Sequence, residues 1–187
     1  VKDMAFDGLI PALSTGKIDM IIAGMNATEE RKQSVDFTDV YYTQTDIVVI
    51  RKEDADKFTS EDSLKTAKLA TQKATVQETY LLEAFPHAEI QSVPKWNTAI
   101  MSLTTGKVDA AMMVDTVAKQ FIAQNDDLMV ANFDINSTPN AAAIAVAKNG
   151  GEFLETVNNI VDEMKESGKI EELYQLNDQI VTDNTAE

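Results

Sequence analysis

Apolar residues recur along the chain with two spacings that predict helices alternating with short strands. Ile10 and Leu13 are three residues apart, which places both side chains on one face of a helix. The apolar run from Met20 to Ala23 then fits a short buried strand. A helix that leads into a short apolar strand is typical of α/β folds, whose strands are commonly parallel. We therefore expect an α/β fold with parallel strands.

This helix–strand pattern occurs twice, ninety residues apart. Residues 7–24 read DGLIPALSTGKIDMIIAG, and residues 97–114 read NTAIMSLTTGKVDAAMMV. A chain that repeats one supersecondary unit is expected to have two similar lobes, and small ligands often bind in clefts between lobes. The positions that are identical in the two copies are Ile10/Ile100, Leu13/Leu103, Thr15/Thr105, Gly16/Gly106, Lys17/Lys107 and Asp19/Asp109.

Both copies carry signals for where their helix begins and ends. Asp7 and Asn97 are good N-cap residues and each follows an aromatic residue. Gly16 and Gly106 are expected to end the helices. The second strand is predicted at residues 110–114.

The rest of the chain predicts further helices and strands. Strands are expected at residues 42–50, 69–71, 89–93 and 141–147. Helices are expected at residues 28–34, 60–66, 75–84, 115–124, 152–167 and 170–176, and residues 182–187 look like a frayed tail. The apolar face expected for the longest helix consists of Phe153, Val157, Ile160, Val161 and Met164.

The two copies differ in what precedes them. Only six residues lie before the first copy, whereas a predicted strand, helix and strand lie before the second. We expect the first lobe (residues 1–45 and 142–187) to lack an N-terminal strand and helix, about 30 to 40 residues for such a unit. The second lobe is predicted at residues 46–141. The alternative is that the two lobes simply differ.

Composition narrows the class of protein. The net charge of −15 argues against binding to nucleic acid or to acidic lipid, which require Lys and Arg. The absence of cysteine excludes disulfides and thiolate chemistry. With one histidine and no cysteine, a metal site is not expected, and we predict no cofactor. The sequence contains no run of about 18 apolar residues, so no membrane span is predicted.

Four segments carry a resemblance to a known family. From Gly24 the chain reads GMNATEER, and from Val35 it reads VDFTDVYY. TVQETY begins at Thr75, and IAV begins at Ile144. Together with the repeated L-x-x-G-K-x-D unit, these segments resemble the polar amino acid group of solute-binding proteins of bacterial ABC importers. The resemblance covers nearly the whole chain.

The resemblance implies a two-lobed periplasmic-binding-protein-like fold of type II, with two strands that cross between the lobes. It also implies an extracytoplasmic protein, exported by a signal peptide into the periplasm or held as a surface lipoprotein. Such a protein captures a polar or charged L-amino acid between its lobes and delivers it to an ABC transporter permease. The hinge is expected near residues 43–46 and 136–142.

The resemblance also assigns residues to the ligand. Arg31 is assigned to the ligand carboxylate, which a guanidinium can grip with two parallel donors. Asp115 is assigned to the ligand ammonium, although it fits the N-cap of the next helix equally well. The family commonly has glycine where Ala74 stands. The full set of implied ligand-binding residues is Gly24, Asn26, Arg31, Thr75, Val76, Gln77 and Asp115.

Several residues fit a structural role. Gln77 fits the surface of a helix as well as a ligand contact. Asp36 and Asp39 fit turns or caps, and His87 fits an exposed loop.

Two other functions stay open: a dehydratase or related lyase on the same scaffold, and an extracellular ligand-sensing domain. We see no acid or base placed beside Arg31 that would favour an enzyme.

Overall fold

The structure is a computed structural model that describes residues 1–185, with side chains described for residues 1–180. The strands are β1 (Met20–Ile21), β2 (Val35–Gln44), β3 (Asp46–Arg51), β4 (Lys68–Gln72), β5 (Glu89–Val93), β6 (Ala110–Val114), β7 (Leu128–Val130) and β8 (Asn140–Ala147). The helices are α1 (Leu9–Ser14), α2 (Glu29–Lys32), α3 (Val76–Ala84), α4 (Trp96–Thr104), α5 (Asp115–Ala123), α6 (Gly151–Glu166) and α7 (Lys169–Thr185). Short 3₁₀ turns cover Phe6–Gly8, Lys52–Asp54 and Glu61–Thr66.

The chain divides into two compact units. Unit 1 consists of Val1–Met4, Gly8–Gln44 and the residues from Asn140 onward. Unit 2 consists of Ala5–Asp7 and Thr45–Pro139.

Unit 1 is built on a three-stranded antiparallel sheet in the order β1-β8-β2. β8 is rich in alanine and its central residues are buried between its two neighbours. Val157 and Val161 of α6 pack with Ile144 of β8 to form a small apolar cluster. Tyr41 packs against that cluster, and the next residue, Tyr42, stacks on Tyr174 of α7 with ring centroids 3.7 Å apart.

Unit 2 is built on a five-stranded mixed sheet in the order β5-β4-β6-β3-β7. β4 is parallel to β5 and β6, whereas β3 is antiparallel to β6 and β7. Val48 and Ile50 belong to one buried cluster and Val49 to another, because successive side chains of a strand point to opposite faces. The sheet of unit 2 is therefore buried on both faces.

Two sequence-based expectations about strands are wrong, and one strand was missed. The parallel arrangement holds only for β4 with β5 and β6. The single strand expected at residues 42–50 is two strands in different sheets, because the chain leaves the sheet of unit 1 at Gln44 and enters that of unit 2 at Asp46. β7 was not expected, because three residues give too short an alternation to recognise.

The predicted helix starts of both repeat copies are also wrong. The N-caps are Gly8 and Lys95. The carboxylate of Asp7 instead pairs with Lys73 at 3.2 Å, and Asn97 lies inside the first turn of α4 because that helix begins one residue earlier. The predicted glycine stops are confirmed, since Gly16 and Gly106 follow their helices with φ of 68° and 71°.

At the C-terminal end, two predictions fail in part. The apolar face of α6 includes buried Val157 and Val161, but Phe153 and Ile160 are 44% and 50% exposed. The predicted frayed tail is wrong for residues 182–185, which continue α7, while residues 186–187 lie outside the described part of the chain.

Candidate functional site

Unit 1 holds Arg31 in a fixed, partly buried position. Thr28 caps the single-turn helix α2, and its Oγ1 accepts a hydrogen bond from Arg31 N at 3.3 Å. The guanidinium donates from Nη1 to the Asn26 carbonyl oxygen at 2.9 Å. Burial lowers the pKa of Arg31, while the nearby Glu30 carboxylate opposes that shift. The side chain stays cationic at neutral pH, because arginine does not lose its proton in proteins.

The segment that carries Gly24 and Asn26 is fastened to β8. Asn26 forms an isolated antiparallel bridge with Ala142, and Met25 O accepts from Ala143 N at 2.9 Å. Gly24 has a left-handed φ of 62°, and its amide donates to the hydroxyl of Tyr41 at 3.3 Å. Unit 1 therefore presents Arg31 from a backbone that is held on the sheet.

In unit 2, Thr75 uses its hydroxyl to shape the start of α3. Its Oγ1 donates to Gln72 O at 2.6 Å and accepts from Glu78 N at 3.3 Å, so Thr75 is the N-cap of α3. Ala74, just before it, has φ of 62°, a conformation that favours glycine. This conformation gives a physical reason for the glycine that the family commonly has here. Val76 is the first residue of α3 and is half-buried.

Gln77 is buried, at 3% exposure, so the interpretation as a surface helical residue is wrong. Its Nε2 donates to Oδ1 of Asp46 at 2.7 Å. Oδ2 of the same carboxylate accepts from Ser137 Oγ at 2.9 Å. Sequence reasoning missed Asp46 and Ser137, because they are distant from Gln77 in the chain and match no local motif. A charged residue at the start of an apolar strand was the only available signal.

Asp115 is the first residue of α5 and directly follows β6. The N-cap is Val114, so the N-cap alternative for Asp115 is wrong. Its amide donates to Thr45 O at 2.9 Å, and its Oδ2 lies 3.3 Å from Lys119 Nζ. Oδ1 is buried and has no hydrogen-bond partner within residues 1–185. A buried carboxylate oxygen without a donor is costly, so this atom is suited to receive one.

Asp36 has the structural role that the sequence suggested. Its carboxylate accepts from Lys148 Nζ at 2.7 Å, from Asn149 N at 2.7 Å and from Gly150 N at 3.2 Å. The hydrogen bond from Lys148 is the main cause that lowers the pKa of Asp36. Asp36 thereby joins β2 to the start of α6. His87 is exposed, as expected.

Unit 1 also contains an apolar cavity of about 530 Å³. Gly24 is the one predicted ligand residue among those that line it. Charged ends of a zwitterion would lose hydration there without replacement partners, so this cavity does not fit the predicted ligand. Its lining is Ile22, Gly24, Tyr41, Ile144, Val161, Met164, Ile170, Leu173, Tyr174 and Asn177.

The described residues offer neither a cluster of metal ligands nor a membrane-spanning helix. No group of three or more His, Cys, Asp or Glu residues there could hold a metal ion. None of the described helices is both long and apolar enough to cross a membrane.

Residues 1–176 match the family described as bacterial extracellular solute-binding proteins, family 3. Over 164 residues the chain is 37% identical to a probable histidine-binding protein of Campylobacter jejuni, covering 87% of this chain and 63% of that protein. It is 31% identical to an arginine-binding extracellular protein of Bacillus subtilis, covering 92% of this chain and 68% of that protein.

A solved structure agrees with these relatives. An amino acid ABC transporter substrate-binding protein from Streptococcus pneumoniae, bound to L-arginine, has a TM-score of 0.90 with this chain. The identity is 30%, and the match covers 100% of this chain and 77% of that one. The chain belongs to family 3 of the bacterial extracellular solute-binding proteins. The predicted fold class, a two-sheet α/β protein of the type II periplasmic-binding-protein-like kind, is confirmed.

The chain spans 63% of the length of the Campylobacter relative. The two relatives are named for binding histidine and arginine, and the solved structure is that of an ABC transporter substrate-binding protein.

Proposed function

We propose that the protein containing this chain is an extracytoplasmic binding protein that captures a polar or charged L-amino acid. In this proposal Arg31 of unit 1 binds the α-carboxylate and Asp115 of unit 2 binds the α-ammonium of one zwitterion. Gly24 and Asn26 contribute from unit 1. Backbone N–H groups of Thr75 and Val76, with the amide of Gln77, contribute from unit 2.

The observation that carries this proposal is the unpartnered Oδ1 of Asp115. It is buried, and no donor within residues 1–185 reaches it. Lys119 lies beside the other oxygen, with its Nζ 3.3 Å from Oδ2. An incoming ammonium group carries three hydrogen-bond donors and a positive charge. It therefore donates to the free oxygen, and the carboxylate anion replaces the water that the ammonium loses on binding.

Arg31 supports the other half of the proposal. Its guanidinium is partly buried and donates from Nη1 to the Asn26 carbonyl oxygen. Arginine suits this role because its planar fork matches a carboxylate with two parallel hydrogen bonds.

In the same proposal the two units are the lobes of the family fold. The chain passes between them at Gln44–Thr45 and at Pro139–Asn140. These two segments act as the hinge on which the protein closes around the ligand. The closed form is recognised by an ABC transporter permease, and the protein works in the periplasm or as a lipid-anchored protein on the cell surface.

Calorimetry on the protein in its full natural length, with the twenty L-amino acids, tests the proposal. Arg31→Ala and Asp115→Ala should each weaken binding by about 2 to 5 kcal/mol, because each leaves one charge of a buried pair uncompensated. That corresponds to roughly 30- to 4,000-fold in Kd. Lys32→Ala and Asp62→Ala are matched controls, since both remove exposed charges in helical turns of the same units.

Binding unchanged in Arg31→Ala or Asp115→Ala would reject the assigned roles. Failure of the wild-type protein to bind any amino acid would reject the function itself. Turnover of a dehydratable acid by the wild-type protein would instead favour the lyase alternative, and a signalling domain in the full gene would favour the sensor alternative.

A further inference from the structure

Asp46 lies where the chain enters unit 2, and its carboxylate joins three separate parts of that unit. Asp46 is the first residue of β3 and is 8% exposed. Oδ1 accepts from Gln77 Nε2 at 2.7 Å, and Oδ2 accepts from Ser137 Oγ at 2.9 Å. Gln77 belongs to α3, while Ser137 belongs to the irregular segment just before the chain leaves the unit. One buried side chain therefore links three parts of unit 2: the entry segment (Thr45–Asp46), the exit segment (Asn136–Ser137) and α3.

A second carboxylate holds the residue next to Ser137. Glu61 Oε1 accepts from Asn136 N at 3.3 Å and from the hydroxyl of Tyr80 on α3. Burial and the Glu61 hydrogen bond raise the pKa of Tyr80, so the phenol remains the donor. Two successive residues of the exit segment are thus each attached to a carboxylate that also holds α3. We call Asp46 and Glu61 the carboxylate clamp.

The entry segment is also attached to the proposed ammonium site. Asp115 N donates to Thr45 O at 2.9 Å, and Asp46 lies opposite Val114 in the β3–β6 register. The clamp therefore reaches both groups of unit 2 to which we assign the ligand: the start of α3 through Gln77, and Asp115 through the backbone. A shift of the entry or exit segment would be transmitted to both.

We propose that Asp46 is a positioning residue for ligand binding, which couples the two hinge segments to the donor loop at Thr75–Gln77. The clamp sets the position of α3 and the orientation of the Gln77 amide, and Asp46 itself does not touch the ligand. Charge-assisted hydrogen bonds to a buried carboxylate are among the stronger ones in proteins, which suits a coupling element. This inference rests on the proposed function, because it names how the same site is held.

The test compares Asp46→Asn with Asp109→Asn in the full-length protein. The Asp109 carboxylate also accepts hydrogen bonds in unit 2, but from Lys68 N at 2.9 Å and Lys57 Nζ at 3.2 Å, which belong neither to α3 nor to the exit segment. Asparagine at position 46 keeps the side-chain shape but places an NH₂ group against one of the two donors. We expect Asp46→Asn to weaken binding of L-arginine, L-histidine or L-glutamine, whichever binds wild type best, by about tenfold or more. Asp109→Asn should leave the Kd within about twofold.

A double-mutant cycle separates positioning from a general loss of stability. If Asp46 acts through Gln77, Asp46→Asn should have little further effect on the Kd in a Gln77→Ala background. A purely structural role would lower the unfolding midpoint and leave the two effects on binding additive. Additive losses, or wild-type affinity in Asp46→Asn, would overturn the inference.

Hydrogen exchange keeps the two proposals distinguishable. If the wild-type protein binds no amino acid, the proposed function fails, and the coupling is then judged by backbone exchange alone. Asp46→Asn should speed exchange at Asn136–Ser137 and at the start of α3, whereas Asp109→Asn should speed it near Lys68. Unchanged exchange at both clamp segments would overturn the coupling whatever the ligand result.

Discussion

The two copies of the repeated segment form the same turn in different surroundings. Thr15 Oγ1 donates to Pro11 O at 2.9 Å, and Thr105 Oγ1 donates to Met101 O at 2.6 Å. The lysine amide after each glycine returns to the helix with the same geometry, at 2.9 Å in both copies. These bonds satisfy the last carbonyls of α1 and α4. The local turn is therefore set by residues inside the repeat.

The strands that follow the two turns differ in their neighbours. β6 is paired on both edges, with β4 on one side and β3 on the other, whereas β1 pairs only with β8 among the described strands. The exposed fraction is 2% for Met112 but 62% for its counterpart Ile22. It is 0% for Ala110 but 41% for Met20. Similar apolar strands thus acquire different burial, because burial depends on sheet neighbours that the repeat does not contain.

The aspartate shared by the two copies shows the same contrast. Asp109 accepts from the Lys68 amide of β4 at 2.9 Å, so it helps to attach β6 to the next strand. Asp19 occupies the equivalent place before β1 and is exposed. The two copies therefore differ in the strand that lies beside them. Four pairs of substitutions can measure how much that neighbouring strand contributes to stability.

The largest difference is expected between Met112→Ala and Ile22→Ala. Met112 is fully buried, so its truncation should lower the free energy of unfolding by about 2 to 4 kcal/mol. Ile22 is mostly exposed, so its truncation should change it by about 0.5 kcal/mol or less. Urea unfolding of the two variants measures this. Equal losses would show that Ile22 is covered in solution.

The second comparison concerns the cations that hold the two turns. Arg51 donates from Nη1 to Leu103 O at 2.7 Å and to Val108 O at 2.8 Å, and its side chain is 15% exposed. Arg51→Ala should lower stability by about 2 to 4 kcal/mol, because two buried carbonyls lose a charged donor. In unit 1, Lys2 donates to Lys17 O from an exposed position, so Lys2→Ala should change stability by about 0.5 kcal/mol at most. Thermal unfolding of both variants would rank them, and an equal shift would refute the contrast.

Asp109→Ala and Asp19→Ala should differ by less. Loss of the Asp109 carboxylate should lower stability by about 1 to 2 kcal/mol at neutral pH, whereas loss of Asp19 should have almost no effect. Burial alone would raise the pKa of Asp109, but hydrogen bonds from Lys68 and Lys57 and the nearby cations lower it overall.

The lowered pKa also predicts a pH dependence. The contribution of Asp109 is complete above the unfolded-state pKa of about 3.9 and disappears as the pH falls through the lower folded-state pKa. Stability curves at pH 7 and in strong acid should therefore converge for wild type and Asp109→Ala. A difference that persists in acid would point to packing and not to charge.

The smallest difference is expected at the glycines. Gly16 and Gly106 have nearly equal left-handed φ values, and an added Cβ would meet nothing within 4 Å at either position. Each alanine substitution should therefore lower stability by about 1 kcal/mol from backbone strain alone. Circular dichroism melts should give equal shifts for Gly16→Ala and Gly106→Ala. Unequal shifts would mean that the two turns differ in a way their geometry does not show.

The sequence was informative where the signal is local. The turns at Gly16 and Gly106 and the strands β5 and β6 follow from neighbouring residues. The resemblance added the fold class, and it assigned the candidate ligand residues, which stay a prediction. Non-local features were not predictable, because antiparallel pairing of β2 with β8 and the Asp46–Gln77 contact join residues far apart in the chain.

The helix starts fail for a related reason. Asp7 has the right side chain for an N-cap, but its carboxylate pairs with Lys73, a residue far along the chain. For the candidate site, sequence reasoning named Gln77 without the carboxylate that holds it. Roles set by tertiary contacts are therefore the part that local patterns leave undetermined.

The left-handed alanine at position 74 has a consequence for how the donor loop is formed. Because a side chain disfavours this φ, the conformation needs support, and the Ala74 amide donates to Glu78 Oε2 at 2.6 Å. Glu78 is in the first turn of α3, so the support exists only once that turn has folded. The Ala74 conformation and the first turn of α3 therefore support each other, and any change that melts that turn should also release the Ala74 amide ahead of it.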